Sequence, residues 1–323
     1  MRFTRRSFEV AVFTIAIFGA AHAQTYPDRP IRLVVPYAPG GSTDLIARMV
    51  AEPLGRVLGQ SVIIDNRAGA AGLIGTAEVA RATPDGYTLV VGTVSTMVIL
   101  PATHPKPGYS VDNFTPVTNI AAMPNIIAVN PKFPAKNLHE FIAVLRANPD
   151  KYSFATSGKG SINHMLGESF QAASGTKILH VPYKGAGPAM QDVMAGQVDI
   201  LVDQLPSSKA YIDSGKLRLI GVISPKRLAE YPDVMTMEEA GMKGFTDQAW
   251  YGIVAPAKMP TAVLQKITEG MQKVMAMPDV RARLQKVGAS PVGNSANEYS
   301  QQIRSEIDRM KVLVKSRNIS LED

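Results

Sequence analysis

From Ile31 onward, short β-rich apolar runs alternate with stretches of helical spacing. The runs IRLVVPY, SVIID and YTLVVGTV frame helices expected over about 43–58 and 71–82. Such alternation predicts parallel βαβ units, and strands without polar alternation predict helices on both faces of a mostly parallel sheet. The pattern then restarts with NIIAVN, YSFAT, KILHVPY, VDILVD and LRLIGVIS, separated by helices expected over 138–147, 161–173, 188–195 and 207–213. QAWYGIVAP adds one strand after the turn-rich PDVMTMEEAGMKGF, and helices over 262–275, 278–287 and 296–316 close the chain. In the last of these, Tyr299, Ile303, Ile307, Met310 and Leu313 or Val314 recur every three or four residues, an apolar stripe for one packing partner. Two α/β blocks with a helical tail predict two lobes and a cleft between them.

Composition narrows the class. With 323 residues, 46% hydrophobic and 19% charged, the chain can bury a sizeable core, which excludes a disordered or fibrous protein. The absence of cysteine removes disulfides, thiolate metal sites and cysteine nucleophiles together. The apolar run Val10–Ala21 is shorter than the roughly 20 residues of a spanning helix and follows Arg2, Arg5 and Arg6. With Ala21-His22-Ala23 it reads as an export leader cleaved after Ala23. Thr4-Arg5-Arg6-Ser7-Phe8 resembles the twin-arginine motif, but adjacent arginines also occur in Sec leaders, so both routes stay open. The net charge of +7 falls to +5 without residues 1–23, and the basic residues are dispersed without aromatic platforms. Nucleic-acid binding is therefore not expected.

Candidate chemistry lies in the loops after the strands. Tyr37-Ala38-Pro39-Gly40-Gly41-Ser42-Thr43-Asp44 joins a strand to a helix, with glycines for a sharp turn and Ser42 or Thr43 to cap. The first-turn N–H groups and the positive end of the helix dipole can hold a carboxylate or phosphate, although an ordinary βα turn has the same sequence. Thr93, Ser95 and Thr96 offer hydroxyls at the same sheet edge, where ligands of open α/β sheets collect. Thr156-Ser157-Gly158-Lys159-Gly160-Ser161 repeats the arrangement in the second block, with a capping Ser161 and with His164 in the first turn, where the dipole favours the neutral ring. Tyr183 and Lys184 end another strand, and Asp203 stands at the end of VDILVD, able to accept from a ligand hydroxyl or amine or to fix a loop.

Known catalytic patterns are missing. Neither G-x-S-x-G nor H-E-x-x-H occurs, the glycines of Gly158-Lys159-Gly160 fail P-loop spacing, and those near Gly69 lack the dinucleotide opening. His104, His139, His164 and His180 show no i, i+4 pairing for a metal. No cofactor and no metal are expected. Ser161 with His164 is the one pair an exported α/β hydrolase could use, without a visible third member.

The segments YPDRPIRLVVPYAPGGSTDLIAR, DNRAGAAGLIGT, TPDGYTLVVGT, SGKGSINHMLGE, HVPYKGAGPAMQDVMAGQVDILVDQLPS and AWYGIVAP together resemble the Bug family, the extracytoplasmic substrate-binding receptors of tripartite tricarboxylate transporters. The likeness runs in order through essentially the whole mature chain. It implies an α/β, two-lobed type II periplasmic binding protein, a Venus flytrap that closes on a small carboxylate: a di- or tricarboxylate, an aromatic acid or an acidic amino acid. It further implies a division into residues 24–124 plus 246–323 for lobe one and 125–245 for lobe two. By similarity, the loops 37–44 and 156–164 approach a ligand carboxylate from opposite lobes. Thr93 and Thr96 would form the floor and Tyr183 a wall, with Lys159 and Lys184 as cations for a second carboxylate. The implied partners are the acid itself and the transporter's membrane subunits, met by a periplasmic monomer; a periplasmic sensor would look the same in sequence. Gln204 stands where the family often has Asn, Asn163 is in a variable position, and His104-Pro105-Lys106 replaces a proline–tyrosine stretch. These departures bear on the ligand's far end.

Overall fold

The computed structural model describes residues 26–104 and 106–317, so the leader assigned to residues 1–23 lies outside the described residues. In chain order the elements are β1 (Ile31–Val35), α1 (Ser42–Leu58), β2 (Val62–Asn66), α2 (Leu73–Ala80), β3 (Thr88–Thr93), α3 (Leu100–Thr103) and β4 (Phe114–Met123). They continue as β5 (Asn125–Val129), α4 (Leu138–Ala147), β6 (Ser153–Thr156), α5 (Ile162–Ser174), β7 (Leu179–Pro182), α6 (Ala186–Ala195), β8 (Ile200–Gln204), α7 (Leu205–Asp213) and β9 (Arg218–Ile223). The chain ends with β10 (Ala249–Pro256), α8 (Thr261–Ala276), α9 (Pro278–Lys286), β11 (Ser290–Pro291) and α10 (Ala296–Arg317).

Two sheets result. One has the order β11-β4-β10-β3-β1-β2 and the other β7-β6-β8-β5-β9. Each sheet combines a parallel set with strands of the opposite sense. β2-β1-β3 and β7-β6-β8 are parallel, but β10 runs antiparallel to β3 and β4, and β5 antiparallel to β8 and β9. A parallel neighbour needs a crossover connection. β4 instead runs straight into β5 through Pro124, and β10 follows the long return after β9, so the strands that join the lobes enter without one. Lobe-joining thus makes both sheets mixed.

β4 is the strand that hydrophobic patterning did not find. Its sequence FTPVTNIAAM mixes threonine, asparagine and proline, and Pro116 pairs with Val254 where the register with β10 shifts. A bulge tolerates a proline that a regular ladder would not. The helices follow their apolar spacing more directly. In α1 the buried face carries Ile46, Val50, Leu54 and Leu58, and the helix stops at Gly59, whose φ of 79° lets its N–H reach the Gly55 carbonyl at 2.9 Å.

One core joins the faces of the first sheet, and two others cover the faces of the second. The α10 stripe packs Tyr299, Ile303 and Ile307 into the first core, with Tyr299 edge-on to Trp250 at 5.3 Å between centroids; the side chains of Leu313 and Val314 lie outside the described residues. No helix among the described residues is long and apolar enough to cross a membrane.

Candidate functional site

Four helix starts converge between the lobes. The cavity they enclose is lined by Gly41, Ser42 and Thr43 of α1, Ile162 and Asn163 of α5, Ala186 of α6 and Gln204 before α7, with Tyr37, Thr93, Val94, Ser95, Ser157, Ala249 and Tyr251 completing the wall. No lining side chain carries a charge at neutral pH. Three of the four helices, α1, α6 and α7, have no side-chain cap on their first turn. Their first N–H groups have no acceptor within the helix, so the cavity is electropositive by dipoles alone, each helix end contributing about 0.3–1 kcal/mol toward an anion.

Gly41, not Ser42 or Thr43, occupies the capping position of α1. Gly40 supplies the left-handed turn at φ 88°, whereas Gly41 lets the lobes approach closely: a Cβ there would crowd the Ala186 methyl at 3.3 Å. The opposing start of α6 is shaped the same way, since a Cβ on Gly187 would lie 2.1 Å from the Pro39 carbonyl oxygen. Freed from capping, the Ser42 hydroxyl reaches across to lobe two, accepting the Ser207 N–H at 3.0 Å and lying 2.7 Å from the Ser207 hydroxyl. Other contacts also cross the cleft. The Ala38 N–H donates to the Lys184 carbonyl at 3.0 Å, the Ile162 N–H to the Ser95 hydroxyl at 3.0 Å, and the Tyr251 hydroxyl to Gln204 Oε1 at 2.8 Å. With the lobes drawn together like this, the cavity keeps about 20 Å³, room for about one water. This is a closed arrangement, and an organic acid needs the lobes further apart.

Asp44 braces the first loop from behind. Its carboxylate accepts from the Gly40 N–H at 3.2 Å, from Arg48 twice at 3.0 Å and from Asn66 at 3.0 Å. Burial alone would push its carboxyl up, but Arg48, Asn66 and the Gly40 amide outweigh burial and hold it below the usual carboxylate range. Tyr37 lines the cavity while its hydroxyl donates to the Ala71 carbonyl at 2.9 Å.

The family is now identifiable from outside the molecule. The profile described as "Tripartite tricarboxylate transporter family receptor" matches residues 46–319. The chain belongs to this family. Among relatives, BugT of Bordetella pertussis is 33% identical over 326 residues, covering 100% of both chains. Among solved structures, the R. palustris protein Rpa4515 with adipate superposes with a TM-score of 0.87 at 32% identity, covering 91% of this chain and 99% of that one. MatC from Rhodopseudomonas palustris with bound malate gives 0.85 at 33%, covering 90% and 100%. The two-lobed binding-protein fold is thereby shown, and the protein is a solute-binding receptor, not an enzyme.

Within the receptor, several residues singled out in the sequence face inward. His164 stands behind its loop, accepting the Gly160 N–H on Nδ1 at 3.2 Å and stacking on His180 at 4.1 Å between centroids. Burial, then the nearby Lys159 charge, pulls His164 down to about 4, and burial, then the stacked His164 ring and Lys159, do the same to His180. Both rings are neutral near pH 7. Ser161 caps α5 by accepting the His164 N–H at 3.2 Å. Thr156 bonds His180 at 2.7 Å and takes the Gly158 N–H at 3.2 Å. Thr96 is fully buried, tied to Thr93, and does not reach the cavity. Tyr183 turns to Asp192 at 2.5 Å instead of walling the cleft. Ala38, Pro39, Gly40, Gly158, Gly160 and Lys184 belong to the loops around the cavity and not to its wall.

Asp203 is fully buried and sits one layer back, accepting from the Ser207 hydroxyl at 2.6 Å and from Ser208 at 2.9 Å. Burial raises its carboxyl to about 6, against the pull of Ser207, Gln204 and Ser208. Because Ser207 donates to Asp203, Ser42 is the donor in the pair across the cleft. Sequence reasoning missed Ser207, Asn163, Ala186 and Tyr251 as cleft residues. Leu205-Pro206-Ser207 at a helix start was the available signal for the first. Asn163 is buried with Oδ1 on the Ser157 hydroxyl at 2.7 Å and Nδ2 lacking a partner among the described residues.

Proposed function

We propose that this receptor captures a small dicarboxylate between its lobes and delivers it unchanged to the membrane subunits of a tripartite tricarboxylate transporter. The observation that carries this reading is the convergence of four helix starts, three of them uncapped, on a cavity wall without charged side chains. Adipate and malate in the two R. palustris relatives are both dicarboxylates, and their charge suits amide and dipole recognition. The acid first docks on one lobe. Closure follows only because the second lobe's N–H groups add affinity for the closed form. The bound acid takes over the inter-lobe contacts of Ser42, Ser95 and Ala38, and Asn163 Nδ2 supplies a donor for one of its carboxylates.

The hinged bodies in this reading are residues 24–124 with 246–323, and 125–245. The receptor works in the periplasm as a monomer, after removal of residues 1–23. Thermal unfolding of the mature protein against malate, adipate and citrate tests it: a ligand of the folded state at a hundredfold excess over Kd adds about 2.7 kcal/mol. Ser42→Asp places a carboxylate where the ligand's would sit and abolishes that gain. Failure of every di- and tricarboxylate to raise the unfolding temperature would refute the proposal.

A further inference from the structure

A second cavity, of about 500 Å³, lies beside the hinge. Its walls come from both lobes: Val98, Trp250 and Met310 from one, Ile162 and Met165 from the other. These are apolar, and all but Met310 are buried side chains. The volume falls in the range of small-molecule sites, and an apolar wall with a few polar groups at one end is their usual make-up. The polar end holds Lys243, Arg309, Asp247 and Glu306. Arg309 pairs with Asp247 at 3.0 Å, while Glu306 accepts the Trp250 indole N–H at 2.8 Å and Gln302 at 3.0 Å. The exposed Lys243 ammonium is thus the rim charge that no described carboxylate matches.

We propose that this hinge-side cavity is a second binding site, taking a medium-chain or aryl carboxylic acid with its apolar part against Val98, Ile162, Met165 and Trp250 and its carboxylate toward Lys243. Val94 and Ile162 line both this cavity and the cleft. An occupant that touches both lobes distinguishes their open and closed arrangements, so it shifts closure, and by linkage the cleft ligand shifts its affinity equally. The site goes beyond solute capture: it makes the receptor's closure responsive to an amphipathic acid.

Trp250 is the single tryptophan of the chain, so its emission reports the cavity. The mature receptor is titrated with octanoate while tryptophan fluorescence is followed. A saturable change is expected, weakened roughly tenfold or more by Ser169→Phe, whose ring takes up volume at the wall, and weakened several-fold by the surface change Lys243→Gln. The same response is expected in Ser42→Asp, where the cleft is blocked. The proposal is overturned if octanoate leaves the emission unchanged, if neither cavity variant weakens the response, or if Ser42→Asp removes it, since the signal would then belong to the cleft. Titrations of the unmodified protein with malate, adipate and citrate separate the two readings: failure of all three to bind, with the octanoate response intact, sinks dicarboxylate capture and leaves the hinge site standing.

Discussion

The hydroxyl of Ser42 lies 2.7 Å from that of Ser207, and this contact joins the first turn of a helix in one lobe to the first turn of a helix in the other. The Ser207 hydroxyl donates a hydrogen bond to the buried Asp203 at 2.6 Å, so Ser42, Ser207 and Asp203 form a hydrogen-bonded relay from the cleft into the core of lobe two. The relay is a latch for the closed arrangement.

Ser207→Ala removes the hydroxyl link across the cleft and one of the two serine hydroxyls that donate to Asp203. A net hydrogen bond is worth about 1 kcal/mol, so the open fraction of the ligand-free receptor rises about fivefold. Small-angle scattering reads this as a larger radius of gyration. Because the tightly closed arrangement holds only about 20 Å³, opening it does not reduce affinity for a dicarboxylate. A variant as compact as the parent would show that the latch carries no weight.

Gly187→Ala and Gly167→Ala separate closure from stability. At Gly187 the added methyl would lie 2.1 Å from the Pro39 carbonyl oxygen of the other lobe, while at Gly167 it would meet the Phe154 ring of its own lobe at 2.3 Å. The first variant keeps its unfolding temperature and loses the compact form; the second unfolds at a lower temperature, by about 1–3 kcal/mol of overpacking. Calorimetry and scattering on the pair check this, and equal destabilisation by both would contradict it.

The stacked histidines set an acid limit. His164 and His180 are both held down to about 4 in the folded chain, below the ordinary value near 6.5. The unfolded chain therefore binds more protons between about pH 6.5 and 4, and stability falls as pH drops through that window. Unfolding temperatures from pH 7 to 4 and NMR titration of both rings provide the check. Ring resonances that titrate near 6.5 would remove the basis for the prediction.

Asp203 acts in the opposite direction. Its folded carboxyl is raised to about 6, so the stability linked to its proton is present at low pH and lost as pH rises through 6. Asp203→Asn removes the buried charge and raises the unfolding temperature at pH 7.5, by about 2–4 °C for each kcal/mol in a chain of this size. The gain shrinks toward pH 5. A variant equally destabilised at both pH values would mean that the Ser207 and Ser208 bonds matter more than the charge.

Much of the architecture is local in origin. α4 spans Leu138–Ala147 as its spacing predicts, and the strands ILVDQ and WYGIVAP are buried along their lengths as their apolar runs predict. The loops that form the cleft were visible as glycine and hydroxyl residues between strand and helix. β4 was not, because its pairing is set by β10 and its proline is absorbed by a register shift.

The amino-acid order alone fixed most of the strands and helices, β4 excepted, and that small residues open the helices at the carboxyl ends of the strands, since these depend on backbone preference and spacing within a few residues. Only the tertiary structure decided which way the side chains of those loops turn. Asp44, His164 and Tyr183 face into their own lobes, toward Arg48, His180 and Asp192, while Ser42 faces Ser207 across the cleft. Those partners lie up to 165 residues apart. Sheet order and lobe closure bring them within hydrogen-bond reach, and neither can be read from local periodicity.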